Sequence, residues 1–391
     1  VSVLFLLNAM AYSTVVPRLP AIKADLGLSN TSLGTAVAAM PAGALVAGLA
    51  AGGLVARFGS GRVAVACAIG FGVVLPTFAA APAWGVLAGT FAVIGALDAW
   101  MDVSMNAHAL RVQRRYGRSI INALHGLWSV GAVAGAALGA GATALDLPLG
   151  VHLVVVGAAI AVTALVLSRW LLPGPDEVVE AASGSEGAPG SPLRRAGVLV
   201  ALLGLLAIMS GIIEDAPSSW GAVFMRSELG TSATVAALVY VAFQVSMTTS
   251  RLLGDRVVDR FGEARTVRTG GLLTAVAVGA GLLVDRPWAV VAAFAVAGLG
   301  TAAIYPLVFH AAGNIPGVRP GHGVAVVAWI GRTGFLVGPP LVGLVGDAVS
   351  LRAGLLAVPL AGLAVAGLAS VLTGPPASQR PPVTSTSAPA T

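Results

Sequence analysis

Asp98, Asp102 and Asn106 stand four residues apart, a spacing that places all three on one face of a helix. They lie within Ala83 to Leu110, a stretch otherwise long and apolar enough to cross a bilayer,. A charge in the middle of such a helix costs at least about 2.5–3.5 kcal/mol on insertion scales, so it is kept for a cavity or a partner. Two carboxyls this close in a low dielectric do not both stay ionised, and a carboxyl that takes up and releases a proton near neutrality is what proton coupling requires. A permanently paired, structural Asp102 is the alternative. Arg332 is the single charge in Val324 to Gly346. Counted along the helices at about 1.5 Å per residue, Arg332 and Asp102 each lie roughly 12 Å from one membrane side and Asp98 roughly 18 Å. Three roles are open for Arg332: a contact with Asp102 made in one conformation and lost in another, a clamp for an anionic solute, or a cap for backbone carbonyls near Pro339 and Pro340.

Other polar groups are candidates for a cavity wall: Tyr305 just before Pro306, Gln244, His125 with Trp128, and Glu214, which follows the apolar run ending at Ile213 and has a solvated helix end as its rival reading. His108 and His152 fall near helix ends, where a solvated or interfacial imidazole is expected. The five histidines and the single cysteine, Cys67, form no metal-ligand spacing,. No intrachain disulfide is possible, and Cys67 sits in an apolar stretch where it packs,. No HExxH, GxSxG or DxD arrangement occurs in a loop context, so neither an enzyme, a metal nor a cofactor is expected.

The elements that must position these groups are membrane helices. With 22 Lys and Arg and 16 Asp and Glu among 391 residues, one residue in ten is charged, against about one in four in soluble domains. Hydrophobic residues reach 57% while aromatics stay at 6%, with a mean hydropathy of +0.91. The surplus is therefore Ala, Val, Leu and Gly, the residues of closely packed membrane helices. Ten apolar stretches without charge, together with the two that carry Asp98, Asp102 and Arg332, make twelve spans. The expected organisation is a six-helix bundle over 1–172, a Pro, Gly, Ser and Glu-rich cytoplasmic linker over 173–195, a second six-helix bundle over 196–373 and a disordered tail over 374–391. Sixteen of the 22 Lys and Arg fall on one set of alternate loops and five on the other, which places both termini in the cytoplasm. The basic pI of about 10.4 reads as orientation in a lipid bilayer and not as affinity for nucleic acid,.

The chain repeats itself. Arg57, Phe58 and Gly59 recur as Arg260, Phe261 and Gly262, an offset of 203, and Arg62 with Arg265, Gly95 with Gly298, Gly131 with Gly334 and Gly135 with Gly338 keep the same offset. Two halves running in the same direction and joined by a linker describe a parallel repeat about an axis normal to the membrane. Because Ala196 would pair with a position before Val1, roughly seven further residues of the first helix are expected ahead of it.

On these residues the sequence resembles a major facilitator superfamily transporter over all twelve spans. The loop after the second helix, with Gly52, Ala56, Arg57, Gly59 and Arg62, is similar to the family's GxxxDRxG loop but has Ala56 where the acid stands. The second-half copy keeps an acid as Asp259, with Arg260, Gly262 and Arg265. The resemblance implies a cytoplasmic gate in which a carboxylate sits near the positive N-terminus of a helix from the other half, with Asp259 carrying more of it than the first-half loop. DVSMNA at 102–107, HGLW at 125–128 and GLGTAAIYP at 298–306 resemble the fucose-permease-like branch and its bacterial relatives. That resemblance implies proton coupling at Asp102 with Asn106, while the branch's acid in the first helix has no counterpart here. Gly334, Gly338 and Pro339 resemble an element that antiporters carry in the fifth helix, which here has no proline. The expected protein is an all-α secondary transporter of the bacterial inner membrane, a monomer moving a small polar solute by alternating access, with protons as the coupling ion. A drug or metabolite efflux antiporter and a non-transporting sensor of the same fold are the alternatives.

Overall fold

The computed structural model describes residues 1–118, 120–173, 193–316, 318 and 320–372. Among them are twelve helices long and apolar enough to cross a membrane, and no strand. In chain order they are α1 (Ser2–Asp25), α2 (Asn30–Phe58), α3 (Ser60–Ala80), α4 (Trp84–Tyr116), α5 (Ile121–Ala144), α6 (Leu149–Trp170), α7 (Ala196–Ser227), α8 (Ala233–Phe261), α9 (Glu263–Leu283), α10 (Pro287–Gly313), α11 (Pro320–Ala348) and α12 (Leu351–Leu372). An all-helical solution is what hydrocarbon demands, since each helix satisfies its own backbone polar groups.

The repeat in sequence is a repeat in structure. Ser29 and Ser232 cap α2 and α8, accepting the backbone N–H of Ser32 and Val235,. Gly59 and Gly262 end the same two helices at φ of 85° and 80°, values that disfavour an L side chain,. The guanidinium of Arg57 lies 5.2 Å from the Phe58 ring centre, and that of Arg260 5.5 Å from Phe261. Gly95 of α4 lies against the carbonyl of Met40 in α2, and Gly298 of α10 against that of Phe243 in α8, the same contact displaced by 203 residues. Gly131 of α5 meets α1 at Leu6, and Gly334 of α11 meets α7 at Ile208. Each contact depends on the missing Cβ, as expected where small residues let membrane helices approach.

Several boundaries differ from the expectation. The helix leading into α7 starts at Leu193, inside the region read as linker; the rest of that region after Pro173, and the tail over 374–391, lie outside the described residues. Helix α4 runs on to Tyr116, so Asp102 and Asp98 lie roughly 21 and 27 Å from its end, and Arg332 roughly 18 Å from the start of α11,. Apolar runs measure only the hydrocarbon, whereas arginine-bearing turns continue a helix beyond it. Helix α7 likewise continues to Ser227, with a wider-wound turn at Pro217–Gly221, so Glu214 is inside the span and not at a solvated end.

His108 and His152 are buried, which corrects the expectation of solvated rings. Leu172 donates its N–H to His108 Nε2 at 3.2 Å, leaving Nδ1, 3.0 Å from Ser60 Oγ, to carry the proton,. His108 thus ties α4 to the start of α3 and the exit of α6. Nε2 of His152 lies 3.0 Å from Thr14 Oγ1. Both rings are covered by a neighbouring element, and Nδ1 of His152 is buried without a hydrogen-bond partner among the described residues.

The halves meet on the side remote from the Arg57–Arg62 and Arg260–Arg268 loops. There Gly34 of α2 lies against the Pro339 carbonyl of α11, and Gly343 faces the Asn30 carbonyl at 2.5 Å from an added Cβ. The carboxylate of Asp347, at the end of α11, accepts the backbone N–H of Asn30 at 2.9 Å and of Thr31 at 2.8 Å, capping α2 from the other half,. Ser13 Oγ and Tyr240 Oη share a hydrogen bond of 3.1 Å, and Tyr240 packs on Val16 and Ala136.

Candidate functional site

A cavity of about 820 Å³ lies between the halves. Its wall runs from Asn8, Asp98 and Asp102 in mid-membrane to Ile121 and Val258 near the basic-loop ends of α5 and α8. It is therefore closed above by the contacts just described and reaches toward the basic side.

The first half supplies Asn8 from α1, Asp98 and Asp102 from α4, and His125 and Trp128 from α5. Asn8 Nδ2 donates to Asp98 Oδ1 at 3.0 Å, and the Trp128 indole N–H donates to Asn8 Oδ1 at 2.8 Å. The two bonds orient the amide and hold one oxygen of Asp98. Asn106, one helical turn on, donates to Asp102 Oδ1 at 3.0 Å and to its carbonyl at 2.9 Å. Neither aspartate is in an ion pair among the described residues. His125 packs its edge on Phe5, with ring centres 5.4 Å apart. Arg332 is exposed on α11, and its charge acts on both carboxyls without contact. The Asp102 to Arg332 contact is not made in this conformation.

The second half supplies Arg251 and Tyr305. Arg251 lies 3.7 Å from Glu214, which also accepts the Ser210 hydroxyl at 3.3 Å. Arg251, one of the sixteen basic residues counted on the alternate loops, belongs to the cavity wall. Tyr305 stands just after α10 breaks at 302–303, donates its hydroxyl to the Ala207 carbonyl at 2.9 Å and is flanked by Phe309 and Phe335. Its phenol is thus committed to α7. Gln244 is buried in α8 and is not among the residues lining this cavity, while Asn106 and Glu214 act on the wall through Asp102 and Arg251. Asn8 and Arg251 are the wall groups that sequence reasoning missed. A lone amide in an apolar run was the only signal for Asn8, and Arg251 closes an apolar stretch as loop arginines do.

The sequence profile described as Major Facilitator Superfamily matches residues 1–220 and 203–390. The chain belongs to the major facilitator superfamily. It is 33% identical over 368 residues to the uncharacterized transporter y4wD of Sinorhizobium fredii, covering 94% of this chain and 96% of that protein. It is 29% identical to an uncharacterized MFS-type transporter of Yersinia pestis, covering 94% of each, and 29% identical to the membrane protein MosC of Rhizobium meliloti, covering 93% of this chain and 86% of that one. Among solved structures, the nucleoside transporter NupG superposes with a TM-score of 0.71 at 14% identity, covering 95% of this chain and 96% of that one. A bacterial homologue of the human lysosomal transporter Spinster, in an inward-facing and occupied conformation, gives 0.71 at 16%, with 95% of each chain covered.

As a superfamily member the protein is a multi-pass membrane transporter and not an enzyme; it binds a small-molecule substrate and sits in a lipid bilayer. The superfamily loops are present but unjoined here. Arg57, Gly59 and Arg62 face residues of α6 and its exit, while Gly262 and Arg265 face α10 and α12. Asp259 makes no ion pair among the described residues, and Glu263 pairs instead with His310 at 3.0 Å within its own half.

Proposed function

We propose that the protein is a proton-coupled secondary transporter moving a small polar organic solute by alternating access, with the solute bound between the halves. The observation that carries this reading is the pair Asp98 and Asp102 on one face of α4, open to a one-sided cavity and held by amides, without a fixed cation. A carboxyl so placed binds a proton or a cationic group of the solute in turn. Asn8, His125, Trp128, Arg251 and Tyr305 shape a pocket with donors and acceptors on both walls, which suits a polar solute better than a greasy one. The charge bias of the loops puts both termini, and hence the open side, in the cytoplasm of a bacterial inner membrane. Each half contributes one wall, so one chain completes the pathway and a monomer suffices.

A thermal-shift screen of the purified protein against sugars, organic acids and amphipathic drugs, at two pH values, identifies the solute. Flux in proteoliposomes then tests coupling. Asp102→Asn is expected to lose uphill accumulation driven by a pH gradient while keeping exchange of solute down its gradient. Arg332→Lys is expected to retain coupling with a shifted pH profile. Wild-type proton dependence in Asp102→Asn and Asp98→Asn alike would overturn the assignment, and the sign of the effective pH gradient distinguishes symport from efflux antiport.

A further inference from the structure

Asp215 has no part in the cavity. It lies on α7 just before the Pro217–Gly221 turn and is 6% exposed. Its Oδ1 accepts the Ser219 hydroxyl at 2.8 Å, and the neighbouring Ser218 hydroxyl is committed to Asp215's own carbonyl at 2.7 Å. From α11, a Cβ added at Gly338 would fall 3.8 Å from Oδ2. From the opposite half α1 brings Tyr12, which faces Asp215 and Ser218; from α8 comes Tyr240, bonded to Ser13 of α1. No Lys, Arg or His acts on it among the described residues.

We propose that Asp215 is a second proton-binding site, filled while the far side is closed and emptied toward that side when the halves part. A lone ionised carboxylate, buried and held by one hydroxyl, costs far more than that bond returns, so in this conformation the group carries its proton. Its cover from the other half is Tyr12 of α1. Separation of α1 from α7 and α8 removes that cover and lets water reach the carboxyl, which then ionises. The O–H bond breaks, the proton passes to water on the far side, and the charge left on Asp215 opposes reclosure until a proton returns. Proton occupancy and access state are linked reciprocally. Asp98 and Asp102 line the cavity open to the other side, so their access to water does not depend on this cover. The inference rests on the reading of the protein as a carrier whose halves part alternately, and its test needs no solute.

Spin labels on Ala24→Cys and Val349→Cys, in opposite halves on the far side and in a Cys67→Ala background, report the gap by pulsed electron resonance in nanodiscs. The far-open population is expected to rise at least tenfold between pH 5.5 and 8.5. Asp215→Asn is expected to stay closed across that range, Asp215→Glu to keep the response with a displaced midpoint, and Asp98→Asn/Asp102→Asn to keep it. A protonated-carboxyl infrared band present in the wild type and missing from Asp215→Asn reports the site directly, and still does so through Asp215→Glu if Asp215→Asn fails to fold. An unaltered pH response in Asp215→Asn, or one abolished only by the α4 pair, overturns the proposal, as does a wild type indifferent to pH. A wild type that responds to pH but moves no solute in liposomes removes the transport reading and leaves the site.

Discussion

Hydrogen-bond supply decides what each buried polar residue does. The indole of Trp128 holds Asn8, and Asn8 holds Asp98, so Trp128→Phe keeps the apolar ring but frees the amide to turn. Transport is expected to slow several-fold with an altered pH profile and little change in melting temperature, which flux and thermal unfolding measured together will separate. His108 has a different duty, joining Ser60 to the Leu172 backbone. His108→Ala removes both of these contacts and is expected to cost about 1–3 kcal/mol, seen as a lower unfolding temperature with the pH profile of transport unchanged. The α4 carboxyls were legible in the sequence because a four-residue spacing is a local property of one helix. Asn8, Arg251 and Asp215 were not, since what a single polar residue faces depends on the helix packed against it.

At the scale of elements, glycine contacts sort into those within a half and those between halves. Gly95 lies on α2 of its own half, against Met40. Gly95→Val must push two bonded neighbours apart and is expected to destabilise by about 1–3 kcal/mol or more, with loss of folded yield in detergent as the measure. Gly34 meets Pro339 of the other half, where the halves part on the alternating-access reading. Gly34→Val is therefore expected to fold and to populate the far-open state, read by labelling of Ala24→Cys. Asp347→Ala acts in the same direction. An exposed carboxylate at a helix N-terminus contributes about 0.5–1 kcal/mol after screening, so its removal is expected to shift the closed-to-open ratio two- to five-fold. The sequence shows which glycines repeat at 203 residues, but not which of them cross the interface. Gly34 and Gly95 look alike as letters and differ only in whose backbone they touch.

For the whole molecule, the alternating-access reading makes closure on one side and opening on the other two aspects of one arrangement of halves. An added Cβ at Gly346 would lie 3.5 Å from Cβ of Asn30, within disulfide reach. Oxidised Asn30→Cys/Gly346→Cys, in the Cys67→Ala background, is expected to hold the far side shut and cut transport below a tenth, with recovery on reduction; unchanged flux in the cross-linked protein would sink the alternating picture. The sequence by itself determined the membrane class, the twelve helices, the two parallel halves and the carboxyl pair in α4, because hydropathy, span length and helical periodicity act within single segments. Only the tertiary structure decided that the basic side is open, that Asp347 caps a helix of the other half, that Arg251 pairs with Glu214, and that Asp215 is buried facing Tyr12 of the other half. Those depend on which faces of helices distant in sequence meet, and burial at such a contact is a property of the pair and not of either stretch of sequence.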